Sequence, residues 1–526
     1  MRSNVELDER IGCVGVFDAA GGPKVEGLTA RHSGSALKQM SVATYILCVL
    51  ASISLWFLAI ASPLWLDETG SYWVIAKGFQ KIATRQGPLS NPIYSYILWF
   101  VTRVTGMSEM GMRIPSVLAM LGAAYVFYLC ARQLFQRETA MVATIVFCVN
   151  PIVMKQAVDA RPYAFEALAT NAAILVLLRL RKSDSLWLAG VFGLLSALIV
   201  YFHFLGAAVL PALLLTFILW KHREGKVFWQ QLGVGLLTCG AAFVPLIPDL
   251  AGLFRHAGTH VFDPSPSPLL LLWVFLPGLL AFACALIAGI IAVALTMRTN
   301  PKPEVDRWQI PLCFSLALIP VFILYGISVA TPIHMFTPRH VLTAVPGISL
   351  CWALGLSLYR SRAMQLVFCM VLVGVTAGVY FTSPTASLHG YSWKYAVAAA
   401  EKSAAPDHAP VLVCSDYPES NFVPMPLHSA KESRYFSPLA YYRLSVPVVP
   451  LPRALNAEAK QVGTSFLAQA SRQHERFLAM GFKFSYRTLD WLRQQAAANY
   501  TVHRLGVFDG VKVLEFEPKA VGVEKR

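Results

Sequence analysis

The 526 residues are 56% hydrophobic and 14% charged, too apolar for an ordinary soluble domain. Lys and Arg number 44 against 29 Asp and Glu, yet no basic run with interleaved aromatics lies outside the short loops between apolar stretches; this argues against nucleic acid and leaves the surplus as a topology signal. Eight of the ten cysteines sit inside apolar stretches and none forms a CxxC pair, so neither a disulfide framework nor a cysteine metal site is indicated.

In chain order, residues 1–41 read as a flexible cytoplasmic tail with Gly21-Gly22-Pro23 in it. The first apolar stretch, 42–62, ends in Ala59-Ile60-Ala61, which resembles a cleavage site, but its length and the preceding polar tail make it an uncleaved first span. Further stretches long enough to cross a bilayer fall at 115–131, 139–155, 162–179, 186–201, 204–220, 231–249, 269–296, 311–330, 341–358 and 364–381, about eleven in all. The expected fold class is therefore a polytopic α-helical membrane protein, with a transmembrane domain at 42–381. Thirteen basic residues in the loops on one side, against Lys155, Arg161, Arg255 and Arg339 on the other, set the N-terminus inside and the C-terminus outside.

The external segment 64–113 is too long for a plain connection; its apolar stretches 72–82 and 93–104 predict helices at the membrane surface rather than spans. From residue 382 the composition becomes that of a soluble domain. "WKYAVAAAEKSAA" predicts a helix, "APVLVCSD" a strand, 464–480 and 487–497 helices, and Asp509-Gly510 a hairpin turn, so 382–526 is expected to be an extracytoplasmic α/β domain.

This topology puts the polar oddities on one face: Asp67 and Glu68; Lys155, Asp159 and Arg161; Tyr201, His203 and Gly206; His334, Arg339 and His340. Each has a plain alternative. Asp67 caps a helix starting at Glu68, Asp159 caps the span whose first turn holds Pro162, His203 joins an interfacial aromatic cluster, and Arg339 and His340 flank a span. An acidic pair set against Trp65, Tyr72 and Trp73 beside lipid argues instead for function. Together, two acids and several cations at the outer rim suit a phosphate-bearing lipid headgroup: a carboxylate deprotonates an incoming hydroxyl while a cation offsets charge on a departing phosphate. Adjacent acids point about 100° apart on a helix, so the two do different jobs.

The segments "LWLDETGSYW", "MRIPSVLAMLGAAYVFYLCARQLF", "NPIVMKQAVDARPYAFEAL", "YFHFLG", "PRHVLTAVPGISLCWALGL" and "GYSWKYAVAAAEK" resemble, in order and spacing, the C-type membrane glycosyltransferases. The likeness is to family 39, with the protein mannosyltransferases and the lipid A aminoarabinose transferase. It implies transfer of a sugar from a polyprenyl-phosphate donor, with inversion, to a lipid, glycan or protein acceptor on the outer face of a cell membrane, as in the bacterial inner membrane. It further implies Asp67 as catalytic base or its close partner, with Glu68 beside it in the acidic motif as the second catalytic candidate, Asp159, Arg161 and Tyr163 lining the donor site, and His203 and Arg339 as further substrate-binding candidates; Lys155 joins these from the residues alone, as a cation that offsets phosphate charge. "QGPLSNPIY" departs from the family pattern, so Pro88, Leu89 and Tyr94 receive no role; Glu166 stands where relatives carry an aliphatic residue and, as an acid near the start of a span, is a functional candidate, with pairing to Arg161 as the plain alternative; and "PRH" replaces "PRY". No cofactor is expected, a divalent cation at Asp67, Glu68 and His203 being the alternative. The same acids would also serve a transporter or a lipid-phosphate hydrolase; the absence of a visible repeat and the clustering of acids at external ends speak against the transporter.

Overall fold

The computed structural model describes residues 26–86, 92–255, 265–276, 278–296, 306–358, 362–382, 393–422 and 433–519. Compact packing divides the chain into Met1–Thr44 and Tyr45–Arg526. The described part of the first unit, from Glu26, lies in a helix that runs to Phe57.

Each expected apolar stretch falls on a helix. Seven helices are long and apolar enough to cross a membrane, or up to nine if each of two bent pairs is one span; Val42–Phe57 and Leu186–Phe202 are apolar but shorter. The count of eleven therefore stands at seven to nine by length and composition among the described residues. Leu118, Trp187, Leu237, Phe314 and Phe322 stand exposed on these helices, as side chains facing lipid tails would.

The stretch expected as one span at 139–155 is bent by 67° between Arg137–Cys148 and Pro151–Ala157. Pro151 has no N–H to continue the helix ladder, and extended Asn150 restarts it: its side-chain oxygen accepts from the Ile152 N–H at 2.9 Å. The bend carries the chain into the turn at Asp159 to Arg161, before the helix Tyr163–Leu180. That helix packs most extensively on Glu109–Leu134.

In the segment 64–113, helices form at Leu66–Ile75 and Ile93–Thr105, with a short turn and helix between among the described residues. Pro88 and Leu89 lie outside the described residues, and Tyr94 is buried.

The C-terminal part holds one five-stranded sheet: β1 Val411–Cys414, β2 Val448–Leu451, β3 Phe477–Phe482, β4 Tyr500–Phe508 and β5 Val511–Pro518, in the order β2-β1-β3-β5-β4. The first three strands are parallel, and β5 pairs antiparallel with both β3 and β4. Both faces are covered, so β1 is buried at every residue and alternates its side chains between two cores: Val411 and Val413 toward helix Lys394–Ala404, Leu412 and Cys414 toward helices Ala457–Gln473 and Tyr486–Ala496. Asp509 and Gly510 turn the hairpin with positive φ, as their types allow. A helix through residue 480 is corrected: His474, at φ 48°, ends it after Gln473, and the apolar run Phe477–Phe482 becomes the central strand.

This sheet unit grips the helix Leu66–Ile75. Tyr417, just past β1, donates its hydroxyl to the Leu66 carbonyl at 3.1 Å, Ser437 lies 3.0 Å from the Thr69 hydroxyl, and the Leu64 N–H donates to the Tyr442 hydroxyl at 2.6 Å. Lys394 pairs with Glu109 at 2.8 Å.

Candidate functional site

The helix Leu66–Ile75 starts abruptly because Trp65 is extended and Glu68 reaches back to accept its N–H at 3.2 Å, while two acids in the first turn suit the positive end of the helix dipole. Asp67 is thus not the helix cap. The cap of Tyr163–Leu180 is Pro162 rather than Asp159.

The two adjacent acids face different surroundings. Glu68 is fully buried and gripped by Arg113, equally buried, through two parallel bonds of 2.7 Å from Nε and 2.5 Å from Nη2. The Ala160 N–H donates to the same carboxylate at 2.8 Å. Arg113 spends its remaining donors on the carbonyls of Ala59, Ile60, Ser62 and Pro63, tying the turns after Phe57 to the acidic helix. Asp67 keeps 23% of its side chain exposed and stands between two loosely held guanidiniums, Arg339 at 3.4 Å and Arg161 at 4.0 Å.

Around this pair the polar groups close up. Trp65 Nε1–H donates to Asp159 at 3.0 Å, and the Arg339 guanidinium lies 5.7 Å above the Trp65 ring. Burial, with Glu68 nearby, pushes the Asp159 carboxyl up to about 8, so it holds its proton at neutral pH. His340 accepts from Arg339 Nε at 3.3 Å and has its Nδ1 2.6 Å from the Met335 carbonyl, a role a tyrosine there would fill differently. The His203 ring packs 5.0 Å from Tyr163 and 5.3 Å from His340. The ionisable neighbour of Glu166 is His203, at 3.6 Å, rather than Arg161, its plain alternative partner.

Seven of the candidates thus gather at one end of the helices: Asp67, Glu68, Asp159, Arg161, Tyr163, His203 and Arg339. Lys155 is exposed and makes no ion pair among the described residues. Tyr201 points elsewhere, donating to the Ala242 carbonyl at 2.8 Å. Arg113 was missed. Its signal was a lone cation at the start of an apolar stretch, which demands a partner beside lipid. Among the described residues, no group of three or more His, Cys, Asp or Glu is placed to hold a metal ion.

Residues 87–250 match the family described as dolichyl-phosphate-mannose-protein mannosyltransferase, a segment that includes Asp159, Arg161, Tyr163 and His203 but not Asp67 or Arg339. No curated protein matches the sequence. Among solved structures, ArnT from Cupriavidus metallidurans bound to undecaprenyl phosphate aligns at a TM-score of 0.54 and 12% identity, over 89% of this chain and 97% of that one. The same protein in the apo state aligns at 0.53 and 13%, over 92% and 98%. The archaeal oligosaccharyltransferase AglB from Archaeoglobus fulgidus, in complex with an inhibitory peptide and a dolichol-phosphate, aligns at 0.44 and 12%, over 88% and 73%, too low a score to carry an argument. The likeness to the C-type membrane glycosyltransferases therefore holds, with the mannosyltransferase family's pattern over residues 87–250 and the fold of ArnT along most of the chain.

Proposed function

We propose that this chain is an inverting glycosyltransferase that moves a sugar from a polyprenyl-phosphate carrier to a lipid, glycan or protein acceptor at the extracytoplasmic side of a cell membrane. The observation that carries this reading is the open carboxylate of Asp67 between Arg161 and Arg339, contributed by three distant segments, beside a Glu68 whose oxygens are already taken.

In the proposed step, Asp67 takes the proton of the acceptor hydroxyl. The oxygen forms its bond to the anomeric carbon from the face opposite the carrier, and the bond from that carbon to the phosphate oxygen breaks, its electron pair staying on the phosphate. Arg161 and Arg339, with about a third of each side chain exposed, are loose enough to turn toward that charge. Tyr163, His203 and protonated Asp159 shape the donor site, whereas Glu68 with Arg113 holds the helix that presents Asp67 and takes no part in the chemistry. Lys155, an exposed cation, is assigned to the carrier's phosphate headgroup. The two arginines supply the positive charge the step needs, so no metal is assigned; a chelator is expected to leave the rate unchanged.

The domain assignment that goes with this is a transmembrane transferase domain at 42–381 and an extracytoplasmic domain at 382–526, with the N-terminus cytoplasmic and an inner-membrane location in a bacterium. The experiment is to incubate membranes carrying the protein with radiolabelled polyprenyl-phosphate sugars and follow the label. Label moving to an acceptor with wild type but not with Asp67→Asn supports transfer; label appearing as free sugar would make the chain a hydrolase. Equal movement with both proteins would overturn the assignment of Asp67.

A further inference from the structure

Behind Arg339 lies a second acid that the proposed step does not use. Glu166, in the first turn of Tyr163–Leu180, is fully buried, and neither of its carboxyl oxygens has a hydrogen-bond partner. His203 Nδ1, also buried without a hydrogen bond, lies 3.6 Å from Oε1. Two features of the chain make room for the pair. His203 is an extended residue between Leu186–Phe202 and the turn that follows, and Gly206 leaves the space in front of the acid empty: a Cβ there would stand 2.5 Å from Glu166 Oε1 and 2.8 Å from Ile199 Cγ2.

From this pair a short chain of contacts leads to Asp67. The His203 ring packs on that of His340 at 5.3 Å, His340 accepts from Arg339 at 3.3 Å, and Arg339 lies 3.4 Å from Asp67. His340 donates from Nδ1 to the Met335 carbonyl, which leaves Nε2 as the lone pair that Arg339 needs.

The charges around His203 decide where the proton sits. Glu166 and Tyr163 face it from one helix, His340 and Arg339 from the span that begins at Pro338, and Arg161 from the intervening turn. An imidazolium would meet two guanidiniums and a second imidazole; burial and the two arginines push the His203 pKa down to about 3. A bare carboxylate in the same space, with no hydrogen bond, would be as costly. The state that leaves neither cost is a neutral acid whose O–H points at His203 Nδ1.

We infer that Glu166 and His203, seated by Gly206, form a neutral acid–imidazole pair that keeps the His203 and His340 rings uncharged and packed together, and so aims Arg339 at Asp67. Both are positioning residues. The inference rests on the reading of Asp67 as the base, but its test has an arm that does not.

That arm is infrared difference spectroscopy of purified wild type against Glu166→Gln at neutral pH, which is expected to show the carbonyl stretch of one protonated carboxyl lost in the variant. Absence of that band overturns the inference whether or not any label is transferred. In the transfer assay, Glu166→Gln, whose amide N–H replaces the acid's donor, is expected within about threefold of wild type. Glu166→Leu and Gly206→Ala are expected to lose about tenfold to a hundredfold, with unchanged elution on size exclusion. Without a donor on Nδ1 the ring takes a proton more easily, so the acidic limb of the Glu166→Leu rate profile should move to higher pH. A leucine variant with wild-type rate and profile, or a glutamine variant as impaired as the leucine one, overturns the inference. A wild type that moves no label while the band is present removes the reading of Asp67 and leaves the pair standing.

Discussion

Asp67 and Glu68 are neighbours in sequence, of one chemical class, in one turn of one helix, and the fold treats them as opposites. Glu68 faces a fully buried guanidinium in fork geometry and a backbone N–H, and no oxygen is left for a ligand. Asp67 faces two guanidiniums at 3.4 and 4.0 Å that retain about a third of their exposure, a loose arrangement that a substrate can rearrange. A closed ion pair fixes geometry, and an open one remains available for chemistry. The 100° between successive helix residues is what sends the two side chains to such different places.

The largest expected effect tests the open side. Asp67→Asn keeps size and shape but loses the charge, so transfer should fall about a hundredfold to ten-thousandfold with the melting temperature in detergent nearly unchanged. The closed side should answer in the other observable. Glu68→Gln leaves Arg113 as an uncompensated buried charge and should cost about 3–5 kcal/mol of stability, read as a lowered melting temperature and poor yield. Pairing it with Arg113→Met should recover part of that loss. If instead Glu68→Gln folds normally and loses only rate, the division between the acids is wrong.

Much of this division was invisible in the sequence, for a physical reason. Helix period and hydropathy placed the apolar stretches, and the change of composition near residue 382 announced the sheet unit. A period of 3.6 says that adjacent acids diverge, but not which one meets Arg113, 45 positions away. The bend at Asn150-Pro151 carried a local signal, an asparagine before a proline, that the continuous hydropathy of 139–155 concealed. Residues 477–480 read as the end of a helix because a short apolar run has no period of its own until neighbours bury both its faces, as in the strand Phe477–Phe482. Which side chains gather around Asp67 depends on tertiary contacts between segments whose sequences contain no mark of each other. The sidedness inferred from loop charge nonetheless placed most of those residues in one set.

Asp159 offers a finer test, because it borders both acids. Its raised pKa, caused chiefly by burial and then by Glu68, means that the folded protein holds a proton which the unfolded chain releases near pH 4. That contribution to stability is complete below about pH 4 and is lost progressively as pH rises toward about 8. Asp159→Asn cannot ionise, so the melting temperature of wild type relative to this variant should decline from pH 5 to pH 8. A flat difference would mean that Asp159 is already ionised, and the neutral neighbour assigned to the Glu68 side of the site would have to be given up.

The smallest effect separates position from chemistry. Tyr417 of the sheet unit donates to the Leu66 carbonyl at the very turn that carries both acids, and Gly70 one turn later leaves room for its hydroxyl, 2.6 Å from where a Cβ would stand. Leu66 also accepts from Thr69 at 2.7 Å, but Tyr417→Phe removes both the bond to Leu66 and the hydroxyl's contact with Ser437 at 3.1 Å, and should cost about 1–2 kcal/mol of stability. If the Glu68–Arg113 clamp alone fixes the helix, transfer by Tyr417→Phe stays within about twofold of wild type. A loss approaching that of Asp67→Asn, at unchanged stability, would show that the sheet unit and not the buried ion pair sets the aim of Asp67, and the positioning role would pass from Arg113 to the C-terminal part of the chain.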